Sequence, residues 1–325
     1  PKHFVAYGAA EAGRDYNTVD VSERTLREVY LPPFKAAFDA GAGSTMSAFN
    51  EIGGVPASAN PFTLTTVLRQ EWAWPGLVVS DYESVRELIP HGVAADLEQA
   101  ARLALSAGVD MDMVSGAFLQ HLAGLVEAGS ISAGVVDEAV RRVLRLKMQL
   151  GLFERPYVDE AIAPRVTLTE PHRALALEAA QASLVLLKND GDLLPLRPGA
   201  QRLAVIGPLA EARQDLLGCW SFFGDAADVE NVMDGLRVYL GAATPPAVVG
   251  CDLNDDGPLD IATAVAAARE AEVVVLVVGE GQDLSGEAHC RTWLGLPGRQ
   301  QALVDAVAAT GRPLVVVLLT GRPLV

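Results

Sequence analysis

Cysteine, basic residues and long apolar runs are scarce in this chain, and each shortage closes off a class of function. The three cysteines, Cys219, Cys251 and Cys290, stand far apart, with no CxxC pair and no histidine at zinc-ligand spacing. So odd and scattered a set gives no disulfide framework and no metal site, and no organic cofactor is called for. Basic residues number 25 against 41 acidic ones, a formal net charge of −16. Such a field repels a phosphate backbone, so nucleic acid and anionic membranes are poor partners, and a neutral or cationic small molecule fits better. No apolar run approaches the ~20 residues needed to cross a bilayer. The longest, EVVVLVVGE and RPLVVVLLTG, have the length of strands. Aromatic residues make up 6% of a chain that is 50% hydrophobic, so Ala, Val and Leu must supply most of any core.

What is present is an alternation. The chain's 325 residues suit two domains better than one core. The segment VSERTLREVYLPPFKAAFDAG reads as a helix with a Ser N-cap and a Gly stop, which Pro32 and Pro33 should kink or break. STMSAFN reads as a strand, PFTLTTVLRQEW as a helix, GLVVS as a strand and DLEQAARLALSAG as a helix. A short VDMDM strand and helices over 116–128 and 132–150 follow. This rhythm predicts a parallel sheet with right-handed crossovers. Residues 151–170, interrupted by Pro156 and Pro164, read as a linker between domains at 1–150 and 171–325. Beyond it, PHRALALEAAQASLVLLKND reads as a helix running into a strand, and RLAVIGP, PAVVG, AEVVVLVVG and RPLVVVLLTG recur as strands. The fold class is therefore α/β, with a mostly parallel α/β sandwich as the second domain. Pro1 lies in what reads as a strand end and TGRPLV follows directly on another strand, so both termini are expected to be cut; no signal peptide is read.

In parallel α/β folds, reactive groups collect at the carboxyl ends of strands, where the loops converge. That rule gathers Lys2, His3, Met46, Asp81 and the Asp110/Asp112 pair. Such a pocket of carboxylates and cationic donors suits a hydroxyl-rich ligand. Each residue also has a plainer role open to it: Asp81 as the cap of a turn, Lys2 and His3 as surface groups, Asp110 and Asp112 as a hydrogen-bonded turn. GEGQDLSG lacks both the Lys-Ser/Thr of a phosphate loop and the GxGxxG spacing of a dinucleotide fold. His91, His121, His172 and His289 show no paired ligand spacing, and His289 is two residues from Glu287.

In order, KHFVAYGAAEAGRDYNTVDVSERTLREVYLPPF, MSAFNEIGGVPASAN, VLRQEWAWPGLVVSDYESVREL, GVDMDM and RVLRLKMQLGLFERPY resemble the family 3 glycoside hydrolases, bacterial periplasmic β-glucosidases above all. SLVLLKNDGDLLPL, VIGPLA, GCWSFFG and LLTGRPL carry the likeness through the rest of the chain. The resemblance implies a (β/α)8-type barrel, here only its C-terminal part, followed by an α/β sandwich. It implies a retaining exo-acting β-glucosidase acting on small β-glucosides or oligosaccharides, periplasmic or secreted, with no cofactor; a homodimer stays open. The nucleophile maps onto Asp81 and the acid/base onto Glu287, rather than Glu280, in the loop after VVGE. Lys2, His3 and Arg14 map onto residues that hold sugar hydroxyls, and Met46 lines the same pocket. Phe49 stands where many relatives carry Tyr. Trp220 and Ser221 fall where the second domain reaches the sugar, and Tyr82 and Trp293 would flank it. A β-xylosidase is the neighbouring alternative. A β-N-acetylglucosaminidase fits less well, because KHFVAYGAAEAG lacks the His of a KHFPGHG-type loop. The barrel's earlier half is expected to be missing, which leaves an inactive carbohydrate-binding fragment as a third reading.

Overall fold

The computed structural model describes residues 1–197, 201–241, 244–254, 257 and 259–325. They cluster into two compact units, Pro1–Thr169 and Glu170–Val325.

The first unit is built on short parallel segments. Strand β1 (Ser44–Met46) precedes an antiparallel hairpin of β2 (Glu51–Ile52) and β3 (Val55–Pro56). β1 then pairs in parallel with β4 (Leu77–Val79), Met46 opposite Val79. Isolated parallel bridges extend the ladder on both sides, Phe4 to Ser47 and Val79 to Met111. Four stretches of chain thus run side by side in one direction, and residues near His3, Ser47, Asp81 and Met113 end on the same side. The helix Leu97–Ala107 between them starts where the Asp96 side chain accepts from Gln99 N. It stops at Gly108, whose φ of 121° disfavours other residues. Ala100, Ala101, Ala104 and Leu105 make its buried face, at the spacing of an amphipathic helix. The scarce aromatics are concentrated in this core, where Phe38 stacks on Trp74 at 4.2 Å and Phe34 meets Phe4 edge-on at 5.0 Å.

Two expectations for this unit are corrected. Pro32 and Pro33 do not break their helix: the chain stays helical from Glu23 to Asp39. A wide π-type turn, Leu26–Tyr30, comes first, closed by Leu31 N donating to Leu26 O. The prolines therefore sit in the first turn of Leu31–Asp39, where a missing amide costs little. VDMDM forms no strand beyond the single bridge at Met111. There the Asp110 carboxylate accepts from Val78 N at 2.9 Å, so a side chain takes a donor that a regular ladder would use.

In the second unit, β5 (Leu203–Ile206), β6 (Ala247–Val248), β7 (Val273–Gly279) and β8 (Leu314–Leu319) form one parallel sheet in the order β6-β5-β7-β8. Its two faces are both covered, which explains why β7 reads as an uninterrupted apolar run. Ala204, Ile206, Val274, Leu276 and Val278 pack with Ala264, Ala268, Leu303 and Val307 of the helices Ile261–Glu270 and Gln300–Ala308. The alternate residues Val205, Val273, Val275 and Val277 pack with Leu209 and Met233 on the other side. The period of two along each strand sorts the side chains between the faces. Gly279 closes β7 with φ of 147°, where a Cβ would stand 1.8 Å from Leu319 O, so only glycine lets β8 come this near. The strand expected within SLVLLKND is not formed. The helix Glu170–Ser183 ends, and Leu184–Leu187 lie exposed outside the four-stranded ladder. Asn189 then folds back, exchanging hydrogen bonds with both Leu194 N and Leu194 O at 3.0 Å. An apolar run suits a strand, but a strand also needs an edge that takes it.

Candidate active site

Strand β4 delivers Asp81 into the protein at its carboxyl end. The residue is 7% exposed. Its Oδ1 accepts from Tyr82 N at 2.7 Å, and its Oδ2 lies 3.4 Å from His3 Nε2. The His3 ring is held edge-on to Tyr7, centroids 5.1 Å apart. A carboxylate and an imidazole from distant parts of the sequence thus meet across the end of β1, from the two stretches that flank it. Met46 ends β1 beside Val79, half-buried. Lys2 and Arg14 are exposed, Arg14 in the loop that follows two short helical turns. Phe49 is buried against Tyr16, edge-on at 4.9 Å, and near Tyr7. Tyr82 turns its ring outward, 58% exposed, while its amide serves Asp81.

A set of buried serines behind Asp81 carries no motif of its own. Ser47, Ser58 and Ser84 form a chain of hydroxyls with 2.8 Å steps. Ser84 N donates to Asp81 O at 3.1 Å, and Ser80 Oγ accepts from Met113 N at 2.8 Å. These bonds satisfy buried polar groups and fix the turn that bears the carboxylate. The sequence reading missed them; only the nearness of Ser80 and Ser84 to Asp81 along the chain could have signalled two of them.

Of the two roles open to the Asp110/Asp112 pair, the structure shows the plainer, hydrogen-bonded kind. Asp110 is held in an ion-pair clamp: Oδ2 accepts from Arg69 Nη2 at 2.9 Å and Oδ1 from Arg142 Nη1 at 2.8 Å. Burial pushes the Asp110 carboxyl above its ordinary value, opposed by the Val78 amide and both guanidiniums. Burial also pushes Arg69 down to about 10, against the pull of the Asp110 charge. Asp112 accepts from Ser115 Oγ and from Phe118 N, which secures the start of the helix Ala117–Glu127.

In the second unit, Glu287 is exposed on the loop between β7 and the helix Gln300–Ala308. Ala288 beside it has φ of 60°, and His289 N donates to Gly286 O at 3.2 Å, so the carboxylate sits on a tight turn. Glu280, the competing carboxylate in this loop, is buried and ion-paired to Arg291 and Arg322. The loop 218–224 carries Trp220, 60% exposed, with Phe222 beside it at 6.3 Å. Ser221 Oγ donates to Gly218 O at 3.1 Å, which shapes the turn. Trp293 lines a shallow depression with Leu284, Arg291 and Leu296. Gln282 N donates to Asp215 Oδ1 at 3.0 Å, linking the Glu287 loop to the stretch before Trp220. Among the described residues no group of three or more His, Cys, Asp or Glu could hold a metal ion, and no helix is long and apolar enough to cross a membrane.

Comparison with known proteins adds a family to this geometry. The glycosyl hydrolase family 3 N terminal domain matches residues 1–146 and the glycosyl hydrolase family 3 C-terminal domain matches residues 184–325. A periplasmic β-glucosidase of Salmonella typhimurium is 42% identical over 99% of this chain and 46% of its own length. A β-xylosidase of Formosa agariphila is 38% identical over 99% of this chain and 47% of its own. The crystal structure of a β-glucosidase from Listeria innocua in complex with glucose superposes with a TM-score of 0.92 at 41% identity, covering 99% of this chain and 44% of that one. The chain spans about half the length of the relatives it matches. With both domain types matched in order along its two units, the chain belongs to glycosyl hydrolase family 3.

Proposed function

We propose that this chain carries the reactive groups of a retaining, exo-acting β-glucosidase that removes terminal non-reducing β-D-glucosyl residues. The observation that carries this reading is Asp81, a buried carboxylate held by Tyr82 N and His3 at the end of a parallel strand. Residues 1–150 would belong to a (β/α)8-type barrel and 171–325 to an α/β sandwich, with 151–170 linking them. Asp81 attacks the anomeric carbon while Glu287 gives its proton to the departing glycosidic oxygen, forming a glycosyl ester. Glu287 then takes a proton from water, whose oxygen displaces Asp81, and the sugar leaves with its configuration retained. Retention by this route needs the two carboxyl groups about 5 to 5.5 Å apart in the working enzyme. His3, Lys2 and Arg14 would donate to sugar hydroxyls, Met46 and Phe49 would form apolar wall, and Tyr82, Trp220 and Ser221 would border the sugar. The likeness to a periplasmic β-glucosidase supports a periplasmic or secreted setting.

Asp81→Asn in the full chain should abolish hydrolysis of an aryl β-glucoside, and azide should rescue Asp81→Gly with an inverted product. Full activity in Asp81→Asn would remove the nucleophile assignment. The 38% likeness to a β-xylosidase supports a second substrate reading, so paired kcat/KM values on aryl β-glucoside and β-xyloside decide between the sugars.

A further inference from the structure

Glu280 ends up inside the protein immediately after β7, its side chain 1% exposed. A carboxylate so far from water needs cations and donors around it. Arg291 Nη1 donates to its Oε1, Thr320 Oγ1 donates to its Oε2 at 2.9 Å, and Arg322 Nε stands 3.3 Å from that same oxygen. Arg291 comes from the loop that bears Glu287; Thr320 and Arg322 follow β8. Each guanidinium has a second hold on that loop. Arg291 Nη2 donates to Gly295 O at 3.2 Å, and Arg322 Nη2 donates to Leu284 O. The loop is therefore gripped at Leu284 before Glu287 and at Arg291 and Gly295 after it, with Glu280 between the two grips. Glu287 itself is exposed on this loop, and a proton donor must be held in place to work.

We propose that Glu280 is the positioning residue for Glu287, setting through Arg291 and Arg322 where the loop carboxyl meets the leaving oxygen. This rests on the reading of Glu287 as acid/base. The two cations make the arrangement directional. A neutral Glu280→Gln leaves both guanidiniums in place but weakens their common anchor, so the loop drifts while the sheet keeps its packing.

The test uses the full chain and two aryl β-glucosides, 2,4-dinitrophenyl with a good leaving group and phenyl with a poor one, with kcat and KM across pH. Glu287→Ala should lose about 10²-fold or more in kcat/KM on the phenyl glucoside, far less on the dinitrophenyl one, and flatten the alkaline limb. Glu280→Gln should give the same pattern more weakly, about tenfold on the phenyl glucoside, with the alkaline limb moved. Arg291→Lys keeps a charge beside Glu280 but cannot also reach Gly295, so it should slow the phenyl glucoside alone by about threefold. It supplies the readout if Glu280→Gln does not fold. Equal slowing of both substrates with an unmoved pH profile, or no slowing, overturns the positioning role while the Glu287→Ala pattern stands. Absence of leaving-group dependence in Glu287→Ala removes the acid/base assignment and the positioning role together.

Discussion

Two aspartates near strand ends, Asp81 and Asp110, look alike in sequence and serve different ends. Asp110 joins the clamp of Arg69, Arg142 and Val78 N, three partners from three other stretches of chain. No local pattern announces that meeting, so the sequence offered Asp110 as a site candidate. Removing the carboxylate would leave two guanidiniums with little water around them. Asp110→Ala should therefore destabilise the first unit by about 3–5 kcal/mol. Urea unfolding would measure the drop, and a midpoint equal to that of the unaltered chain would show the clamp to be dispensable. The position of Asp81, by contrast, was legible because an apolar strand directly precedes it. The serines that steady it were not, since Ser47 and Ser58 reach it only through the folded chain.

Among elements, those buried on both faces or bounded by capping signals were the most readable. β7 announces itself as seven buried residues in a row. Not singled out in the sequence, the helix Val232–Leu240 begins with a capping box: Asn231 Oδ1 accepts from Asp234 N at 2.9 Å, and Asp234 Oδ2 accepts from Asn231 N at 3.2 Å. The Asn231 amide first, then Arg213 and Arg237, hold the Asp234 carboxyl below its ordinary 3.8. A lowered folded-state value means stability that is complete above the unfolded value and is lost as pH falls through the folded one. Amide exchange in residues 232–240 should accordingly speed up as pH drops below 3.8, once corrected for intrinsic rates. Asp234→Asn should show no such acid-dependent loss; if it does, another carboxylate controls this helix. Less readable were VDMDM and SLVLLKND, whose apolar content suits strands. A side chain displaces the backbone ladder in one case, and no described strand receives the other.

Over the chain as a whole, and given the β-glucosidase activity proposed above, the charge of −16 should act on substrates through space rather than by contact. Its reach is about 30 Å at 0.01 M salt and about 10 Å at 0.1 M. Turnover of a neutral aryl β-glucoside should ignore that change. A glucoside with an anionic aglycone should gain about two- to tenfold in kcat/KM as salt rises, and a cationic one should lose. Identical salt profiles for all three would mean that the field near the site is not acidic. The architecture also bears on how such a protein can change over time. Gln300 accepts from Gly279 N and donates to Gly279 O, both at 2.8 Å, so the end of β7 and the start of the following helix are stitched together by one side chain. The intervening segment is a loop tied shut at its neck. Lengthening a loop whose ends are already fixed adds little closure entropy, about 0.6 kcal/mol per doubling. Changes of length away from the Glu280 grips can thus be absorbed by the loop without shifting the sheet.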